Sequence, residues 1–361
     1  MRGGRRCRRT ERAVTEAKTR QATIVDALPK GELHLHLEGT IRPETAVELA
    51  ARHDVEVKPE EAAARYRFSN FAGFIETFKW VTSFLREPED YAIITRSALE
   101  DLGRQNVVYA EITISAGVML RRMQNVEANF AAIRETAGSV VFSRLRTAWI
   151  LDATRQFGPD AALEVARVAA KLEREGVVAL GMGGDELAYP AANFRHAFDL
   201  AREGGLHVVC HAGEIGWPES VRDAVEILGA ERVGHGIAVM NDAALADSLA
   251  TRRVVLENCI ASNVATGALA KQTGKADASF ADHPLAQLLG RGSLVTLSTD
   301  DPGIFHTDLL TEYSRAAALG LSNAQLVQLA QQSFSAAFLP PSDKRQLLDN
   351  FQTAARSAGL L

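Results

Sequence analysis

From residue 27 onward, short apolar or β-branched runs alternate with longer segments of helical periodicity, and this alternation limits the possible folds more than any other feature of the chain. The candidate strands are Glu32–Leu37, Val107–Ile114, Arg146–Asp152, Val177–Met182, Leu206–His211, Arg232–Gly236, Val254–Asn258 and Leu294–Ser298. Eight is the number that closes a parallel βα barrel. Helical segments separate them. Asp160–Glu175 places Ala161, Leu163, Val165, Val168, Ala169 and Leu172 at helical spacing, and Pro218–Leu228 opens on a proline suited to a first helical turn. The predicted class is α/β, a (β/α)8 TIM-type barrel. The interval 43–106 exceeds what one barrel helix needs, so a helical insertion is predicted after the first strand. Its centre carries Phe71, Phe74, Ile75, Phe78, Trp80, Val81 and Phe84. At least half of these suit core packing, and the rest suit a lid on the face where barrel active sites form.

The ends and the composition narrow the function. Residues 1–25 are rich in arginine (Arg2, Arg5, Arg6, Arg8, Arg9, Arg12, Arg20), with no apolar segment behind them to act as a signal-peptide core or membrane span. A disordered basic leader is expected there rather than a transit peptide or nucleic-acid-binding arm. Residues 26–361 contain no Gly/Ser tract, repeat or low-complexity segment, so a single barrel domain is expected. The net charge of −5 argues against nucleic acid or an acidic membrane surface as partner and favours a small molecule. Cys7, Cys210 and Cys259 are too few and too far apart for a disulfide framework or a paired-cysteine zinc site, which places the chain in the cytoplasm.

Side chains alternate along a strand, so His34 and His36 share a face while Leu33, Leu35 and Leu37 pack behind them. Alone, such a pair is better explained by two hydrogen-bonded histidines than by a metal grip. Three later strand ends change that weighing: His211-Ala212-Gly213-Glu214, Gly234-His235-Gly236 and Ser298-Thr299-Asp300-Asp301-Pro302. In a barrel all four converge on one mouth. Three neutral imidazoles and a carboxylate suit Zn²⁺ with a position left for water. The fourth strand ends in Gly181-Met182-Gly183-Gly184 and offers no side chain to bridge a second metal, so one ion per chain is expected.

These motifs, in this order, resemble the adenosine deaminase family of the amidohydrolase superfamily over about residues 27–345. The Pro-Cys-X-X-Cys signature of cytidine-deaminase-type zinc enzymes is absent. The resemblance implies that His34, His36, His211 and Asp300 bind zinc, and that His235 orients or deprotonates the attacking water. It implies that Glu214 donates a proton to the ring nitrogen beside the target carbon. Asp301 would bond the imidazole side of the purine, the Gly184 backbone N–H its pyrimidine side, and Glu38 would face the ribose. The chemistry agrees: zinc lowers the pKa of water from about 15.7 toward about 7, and a desolvated carboxyl stays protonated.

The family's usual arginine and Ser-Pro after the second strand are replaced by Glu111-Ile112-Thr113-Ile114-Ser115-Ala116-Gly117-Val118. With Phe78-Lys79-Trp80-Val81-Thr82 and Leu85-Arg86-Glu87-Pro88, this resembles the aminodeoxyfutalosine deaminases of the futalosine route to menaquinone. The expected substrate is therefore an adenine nucleoside enlarged at its sugar, with adenosine, free adenine and a catalytically silent binding relative as the alternatives. Glu38, Thr113, Phe74, Phe78, Lys79 and Trp80 are the expected selectors of the sugar substituent. Asp185 and Glu186 are read as loop-holding groups. His53, His196, His207, His283 and His306 are read as structural or solvated, and Cys210 and Cys259 as small core residues.

Overall fold

In the computed structural model, which describes residues 25–139 and 145–361, eight parallel strands stand side by side in chain order. They are β1 (Lys30–His36), β2 (Val107–Ile114), β3 (Arg146–Thr154), β4 (Val177–Gly183), β5 (His207–Ala212), β6 (Arg232–His235), β7 (Val255–Asn258) and β8 (Leu294–Leu297). Each lies within two residues of its predicted bounds. The ring closes just beyond β8, where Asp300 N–H donates to His34 O at 2.9 Å and His36 N–H donates to Asp300 O at 2.8 Å. Residues 1–24 of the expected leader lie outside the described residues. Val25, also assigned to that leader, is buried in the core, and the Lys30 ammonium donates to its carbonyl at 2.7 Å.

Strand alternation sorts the side chains. Leu33, Leu35, Ile112, Ile114, Leu151 and Leu180 turn outward into one large apolar core shared with the helices. The lumen is different. Toward the strand starts, Ile150, Ala179, Val209 and Phe338 make a small separate apolar cluster. Charge adjoins it: Arg232 on β6, its guanidinium 3.8 Å over the Phe338 ring, pairs with Glu111 on β2 at 2.5 Å and with Glu257 on β7 at 2.6 Å. In an eight-strand ring β2 and β6 face each other, so this bridge spans the barrel. Breaking such a buried pair from one side typically costs about 3–5 kcal/mol, because it strands the remaining charge.

The insertion after β1 contains α1 (Pro43–Arg52), α2 (Pro59–Arg65), α3 (Phe71–Thr82) and α4 (Pro88–Arg104). Three of the four open on proline, whose missing N–H costs nothing in a first turn. In α3 the Asn70 side chain caps the start by accepting the Gly73 N–H at 2.9 Å. The buried Asp90 carboxylate accepts from Arg86 N–H, Glu87 N–H, Arg52 and His53, and so locks the start of α4 to the end of α1. Phe71, Phe74, Ile75 and Phe78 fall on one face of α3, the i, i+3, i+4, i+7 pattern. Among the described residues no helix is long and apolar enough to cross a membrane.

Candidate active site

At the strand ends the donor atoms of His34, His211, His235 and Asp300 lie within 4.8 Å of one another, and His36 joins Asp300 and Asp301 in an overlapping group. The two overlapping groups thus hold six candidate donors where the sequence pointed to four. Distances separate them. Ligand atoms held about 2.0–2.1 Å from a tetrahedral zinc stand about 3.3 Å apart. Asp300 Oδ1 is 3.4 Å from His34 Nε2 and 3.3 Å from His36 Nε2, and the His36 and His211 Nε2 atoms are 3.1 Å apart. His235 Nε2 stands farther out, 3.7 Å from Glu214 Oε2 and 3.9 Å from Asp300 Oδ2.

The surroundings aim these donors. His34 Nδ1 bonds Glu257 Oε2 at 2.8 Å, which leaves its buried Nε2 without a hydrogen-bond partner and directed at the cluster. His211 Nδ1 bonds the Met182 carbonyl at 3.2 Å. Burial pushes His36 down to about 4 and His235 down to about 3, and drives His211 well below the usual range, so these rings are neutral and carry free lone pairs. Burial also opposes charge on His34, yet the Asp300 and Glu257 carboxylates hold it well above its ordinary value. Burial opposes charge on Asp300 too, but the neighbouring histidines hold it low. A site that attracts positive charge onto an imidazole and keeps its carboxylate ionised fits a metal cation. His235 and Asp300 both have left-handed backbones, φ 61° and 63°, an unfavourable conformation that the fold imposes on two residues of the cluster. A Cβ at Gly234 would lie 2.6 Å from the His34 ring, and one at Gly39 would lie 1.9 Å from Asp301 Oδ1. These glycines allow the close packing.

Glu214 and Asp301 flank the cluster, both buried. Burial, Asp300 and Glu186 raise the Glu214 carboxyl well above the usual range. Burial and Asp300 do the same to Asp301. Both shifts favour the protonated carboxyl, the form that can donate a hydrogen bond. The segment carrying Glu214 is wrapped around the Glu186 carboxylate, which accepts the N–H groups of Gly213, Glu214, Ile215 and Gly216 at 2.7–2.9 Å and the Ser220 hydroxyl at 2.6 Å. From the far side, Gln272 Nε2 donates to the carbonyls of Glu214 and Gly216.

Above the cluster opens a cavity of about 310 Å³. Its inner wall includes His36, His211, Glu214, His235, Asp300, Asp301 and Gly184; its outer wall is Phe71, Phe74, Ile75, Phe78, Val118 and Phe157, with Lys79 at the rim. Trp80 does not line it. That ring packs edge-on against Tyr66 and Phe84, centroids 6.4 and 5.1 Å away, because it sits about 200° around the helix from Phe78 at 100° per residue. Thr113 is not in the wall either; Ser115 and Val118, just past β2, take that place. Glu38 is buried and also absent from the wall, its Oε1 accepting the Ser115 N–H at 2.9 Å. Asp152 at the end of β3 and Gln156 beyond it were not anticipated: both line the cavity, and Asp152 Oδ1 and Gln156 Oε1 are buried without partners. Burial, and to a smaller degree Glu38, brings Asp152 up to about 7. The signal was present, since Asp152 and Thr154 alternate onto the lumen face of β3.

A parallel barrel with acids and imidazoles gathered at its mouth has the architecture of a hydrolytic deaminase. Over residues 29–354 the chain matches the family described as adenosine deaminase, and it belongs to that family. An aminodeoxyfutalosine deaminase of Streptomyces coelicolor is 38% identical over 339 residues, which span 91% of this chain and 85% of that protein. The crystal structure of adenine deaminase from Arthrobacter aurescens superposes with a TM-score of 0.83 at 28% identity, covering 91% of this chain and 99% of the other. An amidohydrolase from Burkholderia ambifaria, solved with bound zinc, gives 0.83 at 25% identity, covering 93% and 94%.

Proposed function

We propose that the chain hydrolyses the exocyclic C–N bond of an adenine nucleoside enlarged at its sugar, converting aminodeoxyfutalosine to futalosine and ammonia in menaquinone biosynthesis, in the cytoplasm. The observation that carries this reading is the outer wall. Phe71, Phe74, Ile75, Phe78 and Phe157 offer an apolar surface beyond the polar floor, and a bare ribose would leave it uncovered whereas an aryl substituent would bury against it. The name of the Streptomyces coelicolor relative supports the same choice.

In this reading His34, His36, His211 and Asp300 hold one zinc ion. When bound, zinc supplies a nucleophile at neutral pH by lowering the pKa of water to about 7. The chain's own residues do the rest. Glu214, kept protonated, gives its proton to the ring nitrogen beside the amine-bearing carbon and so makes that carbon electrophilic. His235 holds the attacking oxygen. Asp301, also protonated, donates to the imidazole-side nitrogen of the purine, and the Gly184 N–H donates on the pyrimidine side. A C–O bond forms, the hydroxyl proton passes to the amine, and the C–N bond breaks to release ammonia and leave a carbonyl; the other proton of the water restores Glu214. The partnerless oxygens of Asp152 and Gln156, both on the cavity wall, await hydrogen bonds that sugar hydroxyls can supply and free adenine cannot, while Glu38 acts from behind the wall by holding the Ser115 N–H.

Deamination of adenosine, deoxyadenosine, adenine and aminodeoxyfutalosine, assayed side by side, tests the reading. Aminodeoxyfutalosine is expected to be turned over with kcat/KM at least about tenfold above adenosine, about 1.4 kcal/mol of transition-state binding. Adenosine equal or better would overturn the substrate while leaving the family intact.

A further inference from the structure

His235 has two ring nitrogens, and which one carries the proton decides what it can do. Nε2 faces Glu214 and Asp300 in the site. Nδ1 points away, 3.0 Å from the Asn263 side-chain nitrogen. The Asn263 oxygen lies 3.1 Å from His283 Nε2, and His283 Nδ1 accepts the Leu285 N–H at 3.3 Å. All three side chains are buried, none more than 4% exposed.

The chain of bonds has one end that cannot be reversed. A backbone N–H only donates, and that of Leu285, the first residue of the helix Leu285–Gly290, has no partner within its own helix. His283 Nδ1 must therefore present a lone pair. Burial pushes His283 down to about 3, so the ring is neutral and its single proton sits on Nε2. That proton requires an oxygen opposite it, which fixes the orientation of the Asn263 amide. Asn263 then turns its NH₂ to His235 Nδ1, which must in turn present a lone pair. The proton of neutral His235 is left on Nε2, facing the site.

We propose that Asn263 and His283 are positioning residues that lock His235 as the Nε2–H tautomer. Locked in this way, His235 donates a hydrogen bond to the attacking oxygen and neither ligates the metal nor serves as the base that deprotonates water. The longer distances from His235 Nε2 to its neighbours accord with a ring outside the ligand set. The inference concerns the family's deamination step and is independent of which nucleoside is preferred.

The direct readout is the long-range imidazole ¹H–¹⁵N correlation spectrum of zinc-loaded protein with ¹⁵N-labelled histidine, in which the His235 signals are identified by their loss in His235→Gln. Protonated Nε2 and bare Nδ1 are expected; a proton on Nδ1 would overturn the proposal. Asn263→Asp places an acceptor against Nδ1 and should draw the proton there. For the nucleoside turned over fastest, kcat should then fall by about tenfold or more with KM within about twofold and zinc content unchanged. His283→Gln can still accept from Leu285 and donate to Asn263, so it should keep kcat within about threefold of the parent, whereas His283→Phe should not. Parent-like kcat in both Asn263→Asp and His283→Phe would contradict the lock. Should those variants fail to fold, the spectrum of the unmodified protein still decides.

Discussion

The two halves of the cavity are built on different physics. On the inner half nearly every group proposed to take part is held by a directional bond to something behind it: His34 by Glu257, His211 by the Met182 carbonyl, His235 by Asn263, and the Glu214 segment by Glu186. The outer half is the apolar face of α3, where Phe71, Phe74, Ile75 and Phe78 offer contact without direction, and Lys79 at the rim is occupied with Glu76 at 2.8 Å. Directional bonds fix the orientation of each group, while a surface on an inserted helix can be reshaped without touching them. Substitutions on the two sides should therefore fail in different ways, through turnover on the inner side and through substrate choice on the outer.

The largest effect is expected for His211→Ala, which removes a proposed ligand. Metal content should fall to a small fraction of an equivalent, and activity should drop by about a thousandfold or more. Elemental analysis showing a full equivalent retained would break the inner half of the comparison. Next is Glu214→Gln, which keeps shape but cannot deliver a proton; kcat should fall by about a hundredfold with the metal in place. Near-parental turnover would remove Glu214 from the reaction.

A smaller effect is expected at Glu186. Burial, Asp300 and Glu186 all raise the Glu214 carboxyl, so its protonated form persists to higher pH than that of an ordinary glutamate and is lost as pH rises through that raised value. The rate should thus decline on the alkaline side. Glu186→Gln removes one negative neighbour, which lowers the Glu214 pKa, and the decline should start at lower pH with kcat about tenfold down at neutrality. A decline that stays put or moves to higher pH would contradict the electrostatic part of this account. The smallest effect belongs to the outer half. Phe78→Ala should cost about three- to tenfold in kcat/KM for the enlarged nucleoside and less than about twofold for adenosine. Equal losses on both substrates would show that α3 does not select.

Much of this was legible in the sequence because barrel strands announce themselves as short apolar runs, and the motifs at their ends share one period and one destination. Asp300 lies three residues beyond β8, and the Ser-Thr-Asp-Asp-Pro run marks it although it falls outside a strand; the fold brings it into the cluster. What stayed hidden depends on contacts between distant segments. Asn263 and His283 meet His235 only once the fold is made, and nothing local distinguishes His283 from a solvated histidine. The lumen bridge among Glu111, Arg232 and Glu257 was hidden for the same reason, as barrel interiors are commonly filled by branched aliphatic residues. The misplacement of Trp80 is another matter: the helical phase of α3 turns it toward Tyr66 and Phe84, and a wheel drawn from Phe71 onward separates it from the cavity face.

Titration of metal-free protein with zinc, following ammonia release from an adenine nucleoside at each addition, tests the central claim most directly. The rate should rise from near zero in proportion to zinc and level off at about one equivalent per chain, as one cluster of three imidazoles and a carboxylate requires. Full activity before any zinc is added, or a plateau reached only at two equivalents, would contradict the site proposed for His34, His36, His211 and Asp300.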